Sequence, residues 1–171
     1  MRTARRISPG DGIDLGQLYE QMRETLEGRG VGLAAPQVGI SVRFFIASVP
    51  GGGDVRAFVN PQIISSTGEK ETNSEGCLSF PGVYAYIERP AEINLRYEDL
   101  DFAVHEEQFD GLFARVIQHE VDHLNGVLIS DRAIDGLHPE EEEDAAQEDA
   151  DGAETAPATL TPTTAKPPEA L

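Results

Sequence analysis

Two histidines four residues apart, His119 and His123, stand in the stretch QHEVDHLNG, with Glu120 directly after the first. On a helix, residues four apart lie one turn above each other on the same face, so both imidazoles can reach one metal ion. Glu120 lies one position round the helix, where a carboxylate suits a general base acting on water. Two unconnected histidines with separate hydrogen bonds are the alternative, which the adjacent glutamate disfavours.

A metal ion that keeps an open coordination position needs a third protein ligand. The longer H-E-x-x-H-x-x-G-x-x-H pattern of some zinc proteases is incomplete here, because residues 127–129 after Gly126 are Val-Leu-Ile. Asp131 and Asp135 are weak candidates. Cys77, in EGCLSF, offers the softest ligand. Taken alone, a single cysteine is more often a small buried apolar residue, and a nucleophile that uses a histidine as its base is a further alternative.

The third segment with chemical content is GVGLAAPQVG, residues 30–39. Gly30 and Gly32 allow an extended substrate to lie close to the main chain, and Gln37 supplies an amide that can hydrogen-bond an oxygen at the metal. The alternative is a turn followed by a buried strand. Pro36 and the small residues predict a tight loop that enters a strand.

Two helices are predicted to flank the segments that carry these residues. The first runs over residues 14–27, where Asp14 and Gln17 form a capping pair and Gly28 and Gly30 end the apolar repeat. The second runs over residues 111–124 and carries the histidines. Its apolar residues lie on two sides, which is typical of a helix buried between layers.

Between the helices, alternating apolar residues and turn signals predict short strands connected as hairpins. The strands are expected at residues 42–49, 56–60, 62–65, 93–97 and 102–109. Turns at residues 51–53 and 99–101 make the pairing mostly antiparallel. We therefore predict an α+β fold: mostly antiparallel β-sheets packed around a central metal-binding helix, with an N-terminal helix.

Charge and composition divide the chain near His138. Residues 139–171 contain ten acidic residues and one lysine, a net charge of −9 out of the chain's −18, and few large apolar residues. Such a segment cannot form a core, so we predict a disordered acidic tail, rich in Pro, Ala and Thr, after one catalytic domain at residues 1–138.

The composition also excludes several classes of protein. No apolar run is long enough to cross a membrane, and none forms a signal core. Arg2, Arg5 and Arg6 are too few to form a nucleic-acid surface. Cys77 is the only cysteine, so no disulfide can form within the chain, and we expect a cytoplasmic protein.

Together, the segments GVGLAAPQ, EGCLS and QHEVDH resemble the three signature motifs of peptide deformylases in order and approximate spacing. The resemblance runs from the first helix to about Arg132 and includes LFARVIQHEVDHLNGVL, which looks like the family's metal helix. It implies a metal-dependent hydrolase of linear amides that acts on N-formylmethionyl nascent peptides. The enzyme would remove the N-formyl group from formylmethionine and release formate.

The resemblance also assigns roles at the reaction centre. Glu120 would be the general acid/base, and Gln37 with the backbone N–H of Leu78 would hold the oxyanion. The metal ligands would be Cys77, His119 and His123. The metal itself would be ferrous iron, Fe²⁺, with Zn²⁺, Ni²⁺ or Co²⁺ as substitutes, and this donor set is compatible with several of these ions.

Further residues are assigned to the substrate and to support of the site. Val31 and Gly32 would line the substrate strand, and Leu112 and Val116, with His119, would form part of the methionine pocket. Arg89 and Asp122 occupy positions that the family joins as an ion pair.

Two departures from the family accompany the resemblance. The segment before the first helix is shorter than usual, which leads us to expect a weakened edge of the fold. The acidic tail stands where some members carry a basic helix that docks on the ribosome. Transient ribosome association through this element is therefore not expected.

Three other hypotheses remain open at this point. A zinc peptidase would bind metal without Cys77, and a cysteine hydrolase would survive chelation but not alkylation. A non-catalytic peptide-binding module would lack one of the catalytic residues.

Overall fold

The computed structural model describes residues 2–140. Within them, three helices are present: α1 (Leu15–Leu26), α2 (Gly111–Asn125) and the short α3 (Ile129–Arg132). The strands are β1 (Gly32–Ala34), β2 (Phe44–Ser48), β3 (Val55–Ser66), β4 (Lys70–Cys77), β5 (Phe80–Pro90), β6 (Glu92–Glu98), β7 (Val104–Asp110) and β8 (His138–Pro139). A 3-10 helix, Ala35–Val38, follows β1.

The strands form two sheets. One has the order β1-β2-β3-β6-β7 and the other the order β4-β5-β8, and every strand pair in both is antiparallel. Helix α2 packs against strands of both sheets. The predicted α+β class, with antiparallel sheets around a central helix, is confirmed.

Helix α1 begins and packs as its sequence predicts. Asp14 precedes the helix, and its carboxylate accepts a hydrogen bond from the backbone N–H of Gln17 at 2.9 Å. This bond satisfies one of the free N–H groups of the first turn. The buried side chains recur at helical spacing and pack against β2; they are Leu15, Leu18, Met22 and Leu26. Burial of each such side chain contributes about 1.5–3 kcal/mol.

Helix α2 is the centre of the molecule. Every residue from Ala114 to Leu124 is buried. The helix ends at Gly126, which has a φ of 78°, a left-handed conformation that glycine adopts without strain. Its N–H donates to the carbonyl of His123, and the N–H of Val127 donates to that of Asp122. The prediction of a buried helix is confirmed, and its charged residues must find partners inside the protein.

The middle of the chain differs from the prediction in three places. The β4–β5 hairpin, residues 70–90, was not predicted, because KETNSEG lacks apolar alternation and the next residues were interpreted as a motif. Residues 56–60 and 62–65 belong to one long strand, β3, with a register shift at Pro61. Phe102 lies in the turn before β7, with a φ of 63°.

Both ends of the described segment are anchored. The N–H of Ala4 donates to the carbonyl of Leu124 at the end of α2, and Arg5 forms an isolated parallel β-bridge with Val42. The segment before α1 is thus held despite its length. Pro139, the first residue of the segment predicted to be disordered, pairs with Val83 in the sheet. The N–H of Glu140 donates to the carbonyl of Gly82, and the remaining residues of the predicted tail, 141–171, lie outside the described residues.

No helix within residues 2–140 combines the length and the apolar character that a membrane crossing requires.

Candidate metal centre

Two segments far apart in sequence supply the three donor groups. Cys77 ends strand β4, and His119 and His123 lie one turn apart on α2. The Cys77 Sγ and His123 Nε2 atoms are 3.3 Å apart, and the two Nε2 atoms are 3.2 Å apart. All three donor atoms lie within 4.8 Å of one another, and all three residues are buried. The sequence-predicted ligand set therefore meets at one point.

These distances fit a metal ion. A tetrahedral ion with bonds of about 2.0–2.1 Å to nitrogen and about 2.3 Å to sulfur separates two nitrogens by about 3.3 Å, and a nitrogen from the sulfur by about 3.6 Å. The observed spacings approach these values. One soft thiolate and two imidazoles form a donor set for a divalent transition metal, with room for a further ligand.

Glu75 fixes the orientation of His119. Its carboxylate is fully buried and lies 3.0 Å from His119 Nδ1. Burial raises the pKa of Glu75, but hydrogen bonds from Arg89 and His119 outweigh it and lower the pKa to about 2. The carboxylate is therefore ionised and accepts the Nδ1 proton, which leaves the Nε2 lone pair of His119 facing the other donors.

Two arginines neutralise Glu75. Arg89 on β5 donates two hydrogen bonds to it, at 2.6 and 2.8 Å, and Arg115 on α2 donates one at 2.7 Å. Arg89 also donates to Asp122 at 2.8 Å, so the ion pair expected from the resemblance is present. Asp122 in turn binds Arg132 of α3 at 2.6 Å. This buried network joins β4, β5, α2 and α3 around the donors.

Glu120 has a different environment from the other buried acids. It is fully buried, and neither carboxylate oxygen has a hydrogen-bond partner among the residues that the structure describes. Burial raises its pKa well above the ordinary value, against the opposing effect of Arg89. An unpaired buried carboxyl group of this kind is typical of a catalytic acid or base and is costly elsewhere.

Gln37 is held from two sides next to the thiol. Its Oε1 atom accepts the Ala34 N–H at 2.8 Å, and its Nε2 atom donates to Ser79 Oγ at 3.0 Å. The same Nε2 atom lies 3.9 Å from Cys77 Sγ. The amide can therefore present its second N–H to a substrate oxygen beside the three donor groups. Leu78, the other predicted oxyanion donor, directly follows Cys77.

The protonation of the donors agrees with a ligand role. Burial raises the pKa of the Cys77 thiol, the opposite of what an activated nucleophile needs. Burial and the neighbouring His119 lower the pKa of His123 to about 3, which keeps its imidazole neutral. A neutral imidazole binds metal directly, whereas the thiol releases its proton on binding.

The residues assigned to the substrate lie along β1 and α2. Gly32 is buried against Glu120, and Val31 packs against the apolar cluster that contains Val116. Leu112 lies on the first turn of α2 and is 51% exposed. The structure thus buries Gly32 and Val116, partly buries Val31, and leaves Leu112 near the surface.

Four supporting residues were missed in the sequence: Glu75, Ser79, Arg115 and Arg132. Glu75 and Ser79 flank Cys77 within EGCLS, so their position beside a candidate ligand was a signal. Arg115 and Arg132 carried none, because their role depends on which carboxylates the fold brings to them.

Hydrolysis of an amide requires activation of the carbonyl, a base for water and a donor for the oxyanion. Three possible metal ligands, a buried carboxyl group and an amide donor lie together in this fold, an arrangement that is typical of metal-dependent hydrolases.

Comparison with known proteins narrows this class. The family model described as polypeptide deformylase matches residues 2–138. A peptide deformylase of Rhodopseudomonas palustris is 49% identical over 121 residues, which cover 67% of each chain. The crystal structure of peptide deformylase from Thermotoga maritima has a TM-score of 0.72 and 46% identity, and the match covers 77% of this chain and 88% of that one.

A third match comes from a solved complex. The Met-Ala-Ser-bound class I type b peptide deformylase of Acinetobacter baumannii is 37% identical, with a TM-score of 0.71 and coverage of 77% of this chain and 89% of that chain.

The chain belongs to the peptide deformylase family. It is a hydrolase that removes the N-formyl group from the N-terminal formylmethionine of newly synthesised proteins, and it binds a metal ion.

Proposed function

We propose that Cys77, His119 and His123 hold the metal ion of this deformylase and that Glu120 is its general acid/base. The single observation that carries this assignment is that Cys77, at the end of β4, meets two histidines of α2 at ligand spacing. The same helix carries Glu120, a buried carboxyl group with no hydrogen-bond partner among the described residues. When bound, the ion supplies Lewis acidity toward the formyl carbonyl and lowers the pKa of water.

The residues of the chain carry the proton transfers. Glu120 takes a proton from the attacking water and later gives it to the amine nitrogen as the C–N bond breaks, so that formate and a free N-terminus leave. Burial raises its pKa well above the ordinary value, which helps the carboxyl group to hold the proton between the two transfers. Gln37 and the N–H of Leu78 stabilise the oxyanion that forms at the carbonyl oxygen.

For the metal we propose Fe²⁺, with Zn²⁺, Ni²⁺ or Co²⁺ able to occupy the same donors. One thiolate and two imidazoles suit each of these ions, so the ligand set limits the choice without fixing it.

The substrate is proposed to lie along β1, which is at the edge of its sheet. Val31 and Gly32 contact the extended peptide, and Val116 and Leu112 contact the methionine side chain. The exposure of Leu112 suits the mouth of a pocket. The Met-Ala-Ser peptide bound by the Acinetobacter relative agrees with a peptide ligand that begins with methionine.

We assign the catalytic domain to residues 1–138 and propose that the enzyme acts in the cytoplasm. The family match ends at His138. A sole cysteine that serves as a ligand suits a reducing compartment. The acidic sequence beyond residue 139 argues against ribosome association through that segment.

Formate release from a formyl-Met-Ala-Ser peptide tests the proposal, with protein purified and loaded with Fe²⁺ under anaerobic conditions. Glu120→Ala is expected to lower kcat by at least about 100-fold while it keeps the metal. Cys77→Ala is expected to lose the metal itself. Full activity of Glu120→Ala, or full metal occupancy of Cys77→Ala, would contradict these roles.

A further inference from the structure

Gly32 is in direct contact with Glu120. A Cβ atom built on Gly32 would lie 2.4 Å from Glu120 Oε1, 3.0 Å from its Cδ and 3.1 Å from its Cγ. Contacts below about 3 Å force one of the atoms to move, so any side chain at this position displaces the carboxyl group.

The backbone does not explain why position 32 is a glycine. Gly32 lies in β1, and its φ is outside the left-handed range in which glycine is favoured. The three atoms nearest to the missing Cβ all belong to the Glu120 side chain, and none belongs to main chain. The space beside Gly32 is therefore filled by a flexible side chain, which can move without disturbing the fold.

Glu120 has few other restraints on its position. His119, its neighbour, is fixed by a hydrogen bond to Glu75 at 3.0 Å, whereas both oxygens of Glu120 lack a hydrogen-bond partner among the described residues. A buried side chain without hydrogen bonds takes its conformation from packing alone. Gly32 on β1, which has no side chain, lies beside the oxygen end of Glu120.

We propose that Gly32 is a positioning residue that sets the location of the Glu120 carboxyl group. The inference rests on the proposed role of Glu120 as the general acid/base. It adds to the expected role of Gly32 at the substrate strand, and the two roles predict different kinetics. A substrate contact changes KM, whereas a misplaced base changes kcat.

Gly32→Ala is the decisive variant. Misplacement of a catalytic group by about 1 Å can cost about 100-fold in rate, so kcat is expected to fall by about that factor, with KM changed less than about threefold. Metal content, measured by elemental analysis, and the thermal midpoint should stay at their original values, because the three atoms nearest to the added methyl group all belong to the Glu120 side chain.

Two comparisons make the test specific. Gly53→Ala, in the loop between β2 and β3, adds a methyl group where no atom lies within 4 Å, and it should leave kcat unchanged. In a Glu120→Ala background the side chain that the methyl group displaces is gone, so Gly32→Ala should cause no further loss of kcat. Residual rates in that background are measured at high enzyme concentration with the same formyl-Met-Ala-Ser peptide.

Several outcomes would overturn the role of Gly32. They are an unchanged kcat in Gly32→Ala, an equal loss in both backgrounds, a change confined to KM, and loss of metal or fold. Full activity of Glu120→Ala would instead overturn the acid/base assignment, so failure of the two proposals can be told apart.

Discussion

At the scale of single residues, Glu75 shows how a buried acid orients a side chain that is proposed as a metal ligand. It is ionised, fully buried and bonded to His119 Nδ1, so it sets which nitrogen of the ring can bind. Partners of this kind raise the basicity of a histidine ligand and hold its ring in place. The negative charge of Glu75 thus affects the donor atom of His119 through the hydrogen bond to the other ring nitrogen.

Glu75→Gln is therefore expected to weaken metal binding by about 10–100-fold, because the amide keeps the shape of the group but loses its charge. Competition with a metal chelator measures the affinity. Glu88→Gln is the matched control: this acid lies on β5 of the same hairpin but pairs with Lys70 at the surface. If Glu75→Gln and Glu88→Gln kept the same affinity, the orienting role of Glu75 would be wrong.

At the scale of elements, Asn60 ties the N-terminal segment to β3. Its side chain accepts the N–H of Ile7 and donates to the carbonyl of the same residue, both at 2.8 Å, and it also donates to Glu98. Its φ of 51° is left-handed, which asparagine tolerates better than most residues. Ala4, in the same N-terminal segment, donates a hydrogen bond to Leu124 at the end of α2. Asn60 therefore helps to fix the position of α2 through this segment.

Two substitutions separate the contribution of the Asn60 hydrogen bonds to stability from that of its left-handed backbone conformation. Asn60→Ala should lower the free energy of unfolding by about 2–4 kcal/mol, because it removes buried hydrogen bonds and leaves a strained backbone. Asn60→Gly loses the same bonds without the strain and should be about 1 kcal/mol less destabilised. Urea unfolding measures both, with Asn94→Ala, an exposed asparagine on β6, as the near-neutral control. Equal losses in Asn60→Ala and Asn60→Gly would contradict the strain argument.

Elements with strong periodicity or clear turn residues were predictable. The apolar repeat of α1 and the two-sided apolar pattern of α2 gave both helices, and residues 51–53 and 99–101 gave hairpin turns. The β4–β5 hairpin was not predictable, because the first half of β4 is exposed and polar and the strand is defined by its pairing with β5. Short α3 is likewise held by tertiary contacts, among them the ion pair of Arg132 with Asp122.

The residues of the candidate site likewise divide into those that could be predicted from the sequence and those that could not. Donor residues have a chemistry of their own, so Cys77 and the paired histidines could be identified from type and spacing. The roles of Glu75 and Gly32 depend on neighbours more than 40 residues away in sequence. No local pattern reveals that a glycine in β1 lies against a carboxyl group on α2.

At the scale of the whole molecule, two buried groups of the metal-free protein link its stability to pH in opposite directions. His123 has a pKa of about 3 in the folded chain and an ordinary value of 6.5. Below pH 6.5 the unfolded chain therefore binds a proton that the folded chain does not, and stability falls as the pH is lowered. Glu120, with its raised pKa, holds a proton in the folded chain only, so stability rises as the pH is lowered toward 4.5.

The effects of His123 and Glu120 on the free energy of unfolding oppose each other between pH 7 and pH 5. A single substitution that removes one group allows the effect of the other to be measured. With chelator present, Glu120→Gln retains only the histidine effect and should lose about 2 kcal/mol of unfolding free energy from pH 7 to pH 5, since one pKa unit corresponds to about 1.36 kcal/mol. His123→Asn retains only the carboxyl effect and should gain stability over the same interval. Glu75 does not contribute in this window, because its lowered pKa acts only below pH 4.5.

Urea unfolding at the two pH values measures both variants against the unsubstituted chain, whose change in unfolding free energy should lie between theirs. Slopes of the same sign in Glu120→Gln and His123→Asn would show that these two groups do not govern the pH dependence of the metal-free fold.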